Sequence, residues 1–176
     1  MSFQIPMRPR DLPKRLPDIR DFILQPKYDG WYVVFSDRHA YTRTGEDITG
    51  WACWAGRPMP VNAVGELMHT GGRHLVPSLA TSAEGLRVVL FDNPVSTPIE
   101  ERLTWVQGMA AVYGFEAAPS FSANTWSEAN AALAGAQSVQ LVEGLVLKRR
   151  GSAWTPGEKH HDWYRFKAPV TIGDAR

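Results

Sequence analysis

The sequence is short of cysteine, of net charge and of long apolar runs, and each shortage closes off a class of function. Cys53 is the only cysteine, which excludes an intrachain disulfide framework and argues against a cysteine-based zinc site; a reducing cytoplasm is the expected compartment. No stretch approaches the roughly 20 apolar residues of a membrane span, and the N-terminus MSFQIPMRPR lacks an apolar export core, so no membrane association is expected. The formal net charge is +1, too small for a global field that gathers nucleic acid, so phosphate binding must come from local basic clusters. His160 and His161 are adjacent, point to opposite faces of an extended segment and have no zinc-like spacing to other ligand residues. They read as surface residues.

With 44% hydrophobic and 21% charged residues in 176, the chain has the composition of one globular domain able to bury a core. A single domain over residues 1–176 is expected, with a lead-in over 1–21. That lead-in carries four prolines and five basic residues, and neither helical nor alternating apolar order. From Phe22 the pattern turns to short β-type runs, FILQP, WYVVFS and HAYTR, with Asp37 and Arg38 forming a turn between the last two; these predict an antiparallel meander. Further strands are predicted at 61–68, 86–91, 141–148 and 163–167. Helices are predicted over 98–113, with Glu100 and Glu101 in the first turn and Gly114 beyond, and over 126–136, with Thr125 as N-cap. Because strands and helices do not alternate regularly, the expected class is α+β with mainly antiparallel sheets and flanking helices. Trp51 and Trp54, in a loop, read as loop packing before base stacking.

Lys27-Tyr28-Asp29-Gly30 stands between the runs FILQP and WYVVFS. Such a Lys-x-Asp-Gly tetrad arises by chance in a chain of this size on the order of a few times in a hundred, so alone it decides nothing. It is followed in order by Thr42-Arg43-Thr44-Gly45, Val64-Gly65-Glu66-Leu67, Leu90-Phe91-Asp92, Glu143-Gly144-Leu145-Val146-Leu147-Lys148 and Trp163-Tyr164-Arg165-Phe166-Lys167. Together these resemble the collinear motifs of the covalent nucleotidyltransferase superfamily: ATP-dependent DNA ligases, RNA ligases and mRNA capping enzymes. The resemblance runs from about Gln25 to Lys167. The link RRGSAWTPGEKHHDW between the last two segments is most similar to that of ATP-dependent DNA ligases.

A lysine amine is normally protonated, so a nucleophilic lysine needs burial or neighbouring cations; Lys148, Arg165 and Lys167 would supply them if their strands converge on Lys27. The same cations would stabilise charge as an α-phosphate is attacked and pyrophosphate leaves. The resemblance implies that Lys27 is the nucleophile for AMP from ATP and that Asp29 holds the reacting groups. It further implies that Arg43 and Glu66 contact phosphate and ribose, that Phe91 and Val146 sandwich the adenine, and that Gln25 reads its amino group. Glu143 is the hard oxygen ligand expected for Mg2+, with Mn2+ as a substitute. Catalytic roles then fall to Lys27, Asp29, Lys148 and Lys167, with Arg165 among the nucleotide-binding residues.

Three features depart from the family pattern. Tyr32 stands where many DNA ligases carry arginine, and Arg165-Phe166-Lys167 replaces the usual Lys-x-Lys. The chain ends at Arg176, nine residues after Lys167, so no OB-fold is expected within it. The lead-in cations Arg8, Arg10, Lys14, Arg15 and Arg20 are the expected substitute for its grip on the phosphate backbone. The expected partner is nicked duplex nucleic acid, DNA before RNA, with an OB-fold protein in trans as a further partner and the chain itself a monomer. The rival readings are an RNA ligase, a GTP-using capping guanylyltransferase, and a non-catalytic nick-binding or docking module.

Overall fold

A computed structural model describes residues 6–157 and 159–171. Among them, nine strands form two sheets, with strand orders β1-β9-β8-β2 and β4-β3-β5-β6-β7. The first sheet consists of β1 (Arg8–Asp11), β9 (Lys159–Phe166), β8 (Val142–Arg149) and β2 (Phe22–Tyr28). The second consists of β4 (His39–Thr42), β3 (Trp31–Ser36), β5 (Asn62–His69), β6 (Leu86–Asp92) and β7 (Glu116–Ala117). Neighbours are antiparallel except for the edge pairs β1/β9 and β6/β7. The α+β class is therefore as expected, and neither sheet closes into a barrel. Among the described residues, no helix is long and apolar enough to cross a membrane.

Alternation along the strands sorts the side chains into layers. In β2 and β8, Phe22, Leu24, Leu145 and Leu147 face outward and pack under α2 (Trp126–Gln137) through Ala129 and Leu133. In β3, β5 and β6, Val33, Phe35, Ala63, Leu67, Val88 and Leu90 pack under α1 (Ile99–Tyr113) through Val106, Met109 and Ala110. The alternate residues face the other sheet, where Val34, Val64 and Trp163 pack with Tyr32, Phe91 and Val146. Both helices have the expected ends: Gly114 is left-handed at φ 66° after α1, and Thr125 accepts a hydrogen bond from the Glu128 amide at 3.2 Å. Trp54 is buried against Phe35, and Trp51 packs on Trp31, as loop packing predicts.

One expectation is corrected. The meander breaks at its first link, because β2 pairs with β8 and β3 pairs with β4 and β5, so the Asp29-Gly30 turn carries the chain from one sheet to the other. Crossing there requires glycine: a Cβ on Gly30 would stand 2.5 Å from the Leu67 carbonyl oxygen and 2.6 Å from Met68 Cγ. The basic, proline-rich lead-in contains a strand. Residues 8–11 form edge strand β1, parallel to β9, and an edge tolerates Pro9 because the missing N–H need not face a neighbour. Arg20 is tied to Asp18 at 2.5 Å and Arg8 lines the cleft between the sheets, while Lys14 and Arg15 remain exposed. The side chain of His160 lies outside the described residues; His161 is exposed.

Gly144 sits at a close approach to the end of β9, since a Cβ there would meet the Phe166 carbonyl oxygen at 2.5 Å and Lys167 Cγ at 3.1 Å. Gly144→Ala must push β9 away from β8, at a cost of about 1–3 kcal/mol. Urea denaturation is expected to show that loss, and an unchanged midpoint would contradict the packing described.

Candidate active site

The inner faces of the two sheets enclose a cleft of about 470 Å³, within the range of small-molecule sites. Strand register fixes its order. Lys27 lies opposite Gly144, Gln25 opposite Val146, and Ile23 opposite Lys148; on the next strand Val146 faces Arg165 and Lys148 faces Trp163. One end of the cleft is therefore a lysine end around Lys27, and the other an aromatic end around Phe91 and Trp163.

At the lysine end, Glu143 is a carboxylate shared between two ammonium groups: Lys27 Nζ donates to Oε1 and Lys167 Nζ to Oε2. Burial alone would raise the Glu143 pKa, but the hydrogen bonds from Lys167 and Lys27 outweigh it and hold the group below its ordinary value. Of the three cations expected around Lys27, Lys167 is thus brought to it. Lys148 is paired elsewhere: it lies four residues along β8 from Gly144, a backbone separation of about 13 Å at the strand rise per residue, and its Nζ donates to Asp92. Arg165 lines the cleft, and its Nε donates to Asp11 Oδ1 at 2.8 Å. Asp29 turns outward, where Arg73 donates to its Oδ1 at 3.1 Å, while its own amide donates to the Leu141 carbonyl at 2.8 Å. No three His, Cys, Asp or Glu side chains converge as a metal cage among the described residues. A lone carboxylate such as Glu143 fits an ion carried in by phosphates, which needs one or two protein carboxylates.

Glu66, on the facing sheet, accepts the Gly30 amide at 3.0 Å and lines the cleft. Burial raises its pKa to about 7, against the opposing pull of Lys27. Arg43 is exposed at the cleft and has no carboxylate partner among the described residues.

At the aromatic end, Phe91 and Val146 both line the cleft and share one apolar cluster. Lys148, 1% exposed, donates to the Phe91 carbonyl at 2.7 Å and to Asp92 Oδ2 at 3.0 Å, with Nζ 4.2 Å from the Trp163 ring centroid. Asp92 Oδ1 accepts from Arg102 Nε at 2.7 Å, completing a buried cation–anion–cation triad. Burial lowers the Lys148 pKa to about 8, with Asp92 opposing and Arg102 adding to the shift. Gln25 is buried; its Nε2 donates to Ser120 Oγ at 3.0 Å, and its Oε1 has no partner among the described residues. Tyr32 packs edge-on to Phe91 at 5.3 Å, with its hydroxyl buried and unpartnered. Burial, with Asp92 and Glu66 adding, holds that hydroxyl protonated well above its ordinary pKa.

Sequence reasoning missed Arg8, Arg73, Thr42 and Trp163 as lining residues, and missed the pairing partners Asp11, Asp92 and Ser120. Thr42 and Trp163 lie inside the segments singled out, so only their orientation was hidden. Arg8 was singled out only as a lead-in cation, and Asp11 and Ser120 had no local signal; all three reach the site through tertiary pairing.

The raised pKa of Glu66 fixes the sign of one pH dependence. A folded pKa near 7 against an ordinary 4.5 means that this group's contribution to stability is complete below pH 4.5 and is lost as pH rises through 7. Glu66→Gln keeps the carbonyl that accepts from Gly30 but cannot ionise. Between pH 4.5 and 7.5 the urea midpoint of the parent is expected to fall relative to that of the variant; parallel midpoints would contradict the burial of Glu66.

No family model and no curated protein matches the sequence. Solved structures do match. A Lig E DNA ligase, described as binding DNA with a minimal scaffold, superposes with a TM-score of 0.78 at 17% identity, over 94% of this chain and 69% of the other. The Chlorella virus DNA ligase-adenylate matches at TM-score 0.72 and 15% identity, over 94% and 68%. The ATP-dependent DNA ligase of bacteriophage T7, in complex with ATP, matches at 0.63 and 17%, over 93% and 68%. At these identities the likeness establishes fold, and it agrees with the motif order read from the sequence. The chain has the adenylation-domain fold of ATP-dependent DNA ligases.

Proposed function

We propose that this protein is a minimal ATP-dependent polynucleotide ligase that attaches AMP to Lys27, passes it to a 5′-phosphate and seals nicks. The observation that carries this reading is the shared carboxylate: Lys27, which lines a nucleotide-sized cleft, and Lys167, from the other end of the motif series, meet on Glu143. Nζ reacts as the neutral amine, having given one proton to water. It forms a bond to the α-phosphorus as the bond to the β-phosphate oxygen breaks, pyrophosphate leaves with the electron pair, and a second proton is lost from nitrogen. Lys167 and Arg165 are the cations that stabilise the charge developing on the phosphate. Asp29 acts by fixing the turn after Lys27 through Arg73 and Leu141. Mg2+, or Mn2+ in its place, would be held by the phosphates and Glu143, and when bound neutralises phosphate charge.

The base belongs at the aromatic end, between Phe91 and Val146, where Lys148 and its Asp92–Arg102 support fix the Phe91 strand end. Gln25 Oε1 is an unpartnered acceptor, which suits the amino group of adenine and opposes the carbonyl of guanine. That favours ATP over the GTP of a capping enzyme. Glu66 and Arg43, which line the same cleft, would contact ribose and phosphate. The DNA binding described for the Lig E neighbour supports a nicked duplex as partner, DNA before RNA. A protein bearing an OB-fold, acting in trans, would add to that grip.

Incubation with labelled ATP or GTP and a divalent ion is expected to give acid-labile covalent label from ATP, none from GTP, and none in Lys27→Ala. Label from GTP alone would support a guanylyltransferase. A protein that never gains label from either nucleotide would be a non-catalytic module.

A further inference from the structure

Glu143 stands at an irregular point of the first sheet. Between β2 and β8 the register shifts so that Lys27 faces Gly144 and Tyr28 faces Val142, which leaves Glu143 as a bulge residue opposite no residue of β2. On its other side the pairing of β8 with β9 ends at Leu145 and Phe166, so the Glu143 and Lys167 backbones both lie past the last pair. A bulge aims a side chain at the cost of local ladder bonds, and something else must then hold the backbone. Gln137 does so. Its Nε2 donates to the Glu143 carbonyl at 3.1 Å and to the Lys167 carbonyl at 2.8 Å, which uses both protons of the amide. The two residues it joins are the ones whose side chains meet beside Lys27.

The mount is rigid. Gln137 is the last residue of α2, one turn beyond Leu133 and two beyond Ala129, both wholly buried against the sheet, so the face that anchors the helix ends in this amide. The connection that follows reaches further. Gln140 Nε2 donates to the carbonyl of Thr70, just after β5, at 2.9 Å, and the Leu141 carbonyl accepts the Asp29 amide at 2.8 Å. Leu141 itself is left-handed at φ 68°, a conformation that leucine keeps only where its surroundings fix it. Residues 137–141 thus tie together the turn after Lys27, the end of β5 and the strand ends that carry Glu143 and Lys167.

We propose that Gln137 is a positioning residue: it holds Glu143 and Lys167 in the relative placement that the reaction of Lys27 needs, without touching the nucleotide. This rests on the reading of Lys27 as the nucleophile. The side-chain contacts alone do not secure that placement. Lys167 lies one residue past β9 with its side chain half exposed, and an exposed ion pair holds a long side chain only weakly. Fixing the Lys167 carbonyl fixes the root of that side chain and keeps its ammonium within reach of Glu143.

Gln137→Met keeps the length of the side chain without its donors, and Gln137→Lys keeps donors. The first is expected to take label from ATP about tenfold more slowly or worse, the scale of effect that small misplacements remote from the reacting atoms have, with ATP affinity by calorimetry changed by less than about twofold. Gln137→Lys should recover most of the rate. Ala129→Gly, which lowers helix propensity in α2 without touching the clamp, should label at nearly the parental rate under conditions where all variants are folded. Parental labelling by Gln137→Met, no recovery in Gln137→Lys, an equal loss in Ala129→Gly, or a parallel loss of rate and affinity would overturn the proposal. A parent that takes no label rejects the reading of Lys27, and the crystal structure of Gln137→Met then decides the placement by itself. Lys167 parted from Glu143 is the expected result; Lys27, Glu143 and Lys167 still joined would overturn it.

Discussion

Two sheets share one cleft, and the constraint from which the rest follows is that each inner strand must be apolar on its outer face and chemically furnished on its inner one. Strand β8 meets this residue by residue: Leu145 and Leu147 are wholly buried under α2, while Gly144, Val146 and Lys148 alternate with them toward the other sheet. Strand β2 does the same with Leu24 behind and Gln25 and Lys27 in front. A shift of one residue in either strand would exchange the two sets, burying charge under the helix and exposing leucine to the cleft. Site geometry and core packing are thus a single solution, and the register that stabilises the first sheet also positions Lys27 against Gly144.

The two ends of the cleft handle charge differently. Around Lys27, a half-exposed carboxylate is shared by two ammonium groups, so this cluster carries a net positive charge that an incoming phosphate can balance. Around Lys148, a fully buried Asp92 lies between two cations with carbonyl oxygens from Phe91, Thr97 and Ser152 closing the network. Such a buried network adds little to stability in net terms, yet it is costly to break because removing one member strands the others without water. Its location under Phe91 gives it a purpose in shape: it pins the end of β6 and keeps one wall of the aromatic end in place. The chain's near-zero global charge is compatible with both arrangements, since each acts over a few ångströms.

Most of the elements were legible in the sequence because their signals are local. Alternation in WYVVFS, the Glu-rich start of α1, Gly114 behind it and the Thr125 cap each depend on a few consecutive residues, and each lies where expected. The candidate site was legible only as a series of segments whose order resembles a family; Lys27, Gln25, Glu66, Phe91, Val146, Lys148 and Arg165 line one cleft because the strand registers bring them there. What escaped is non-local. Nothing in FILQPKYDGWYVVFS states that its two runs join different sheets, a decision made by the close approach of Gly30 to Leu67. Proline hid strand β1, and with it the position of Arg8. Lys148 and Asp92 lie 56 residues apart, so the sequence offered Lys148 as a neighbour of Lys27 when its partner is an aspartate at the opposite end of the cleft.

The central claim is geometric: the nucleotide lies with its α-phosphate on Lys27 and its base at the aromatic end. A crystal structure of the protein after exposure to ATP tests this most directly. The account predicts continuous density from Lys27 Nζ to a phosphorus atom, with the adenine held between Phe91 and Val146 and its amino group toward Gln25. Nucleotide bound elsewhere, or AMP linked to any lysine other than Lys27, would contradict it.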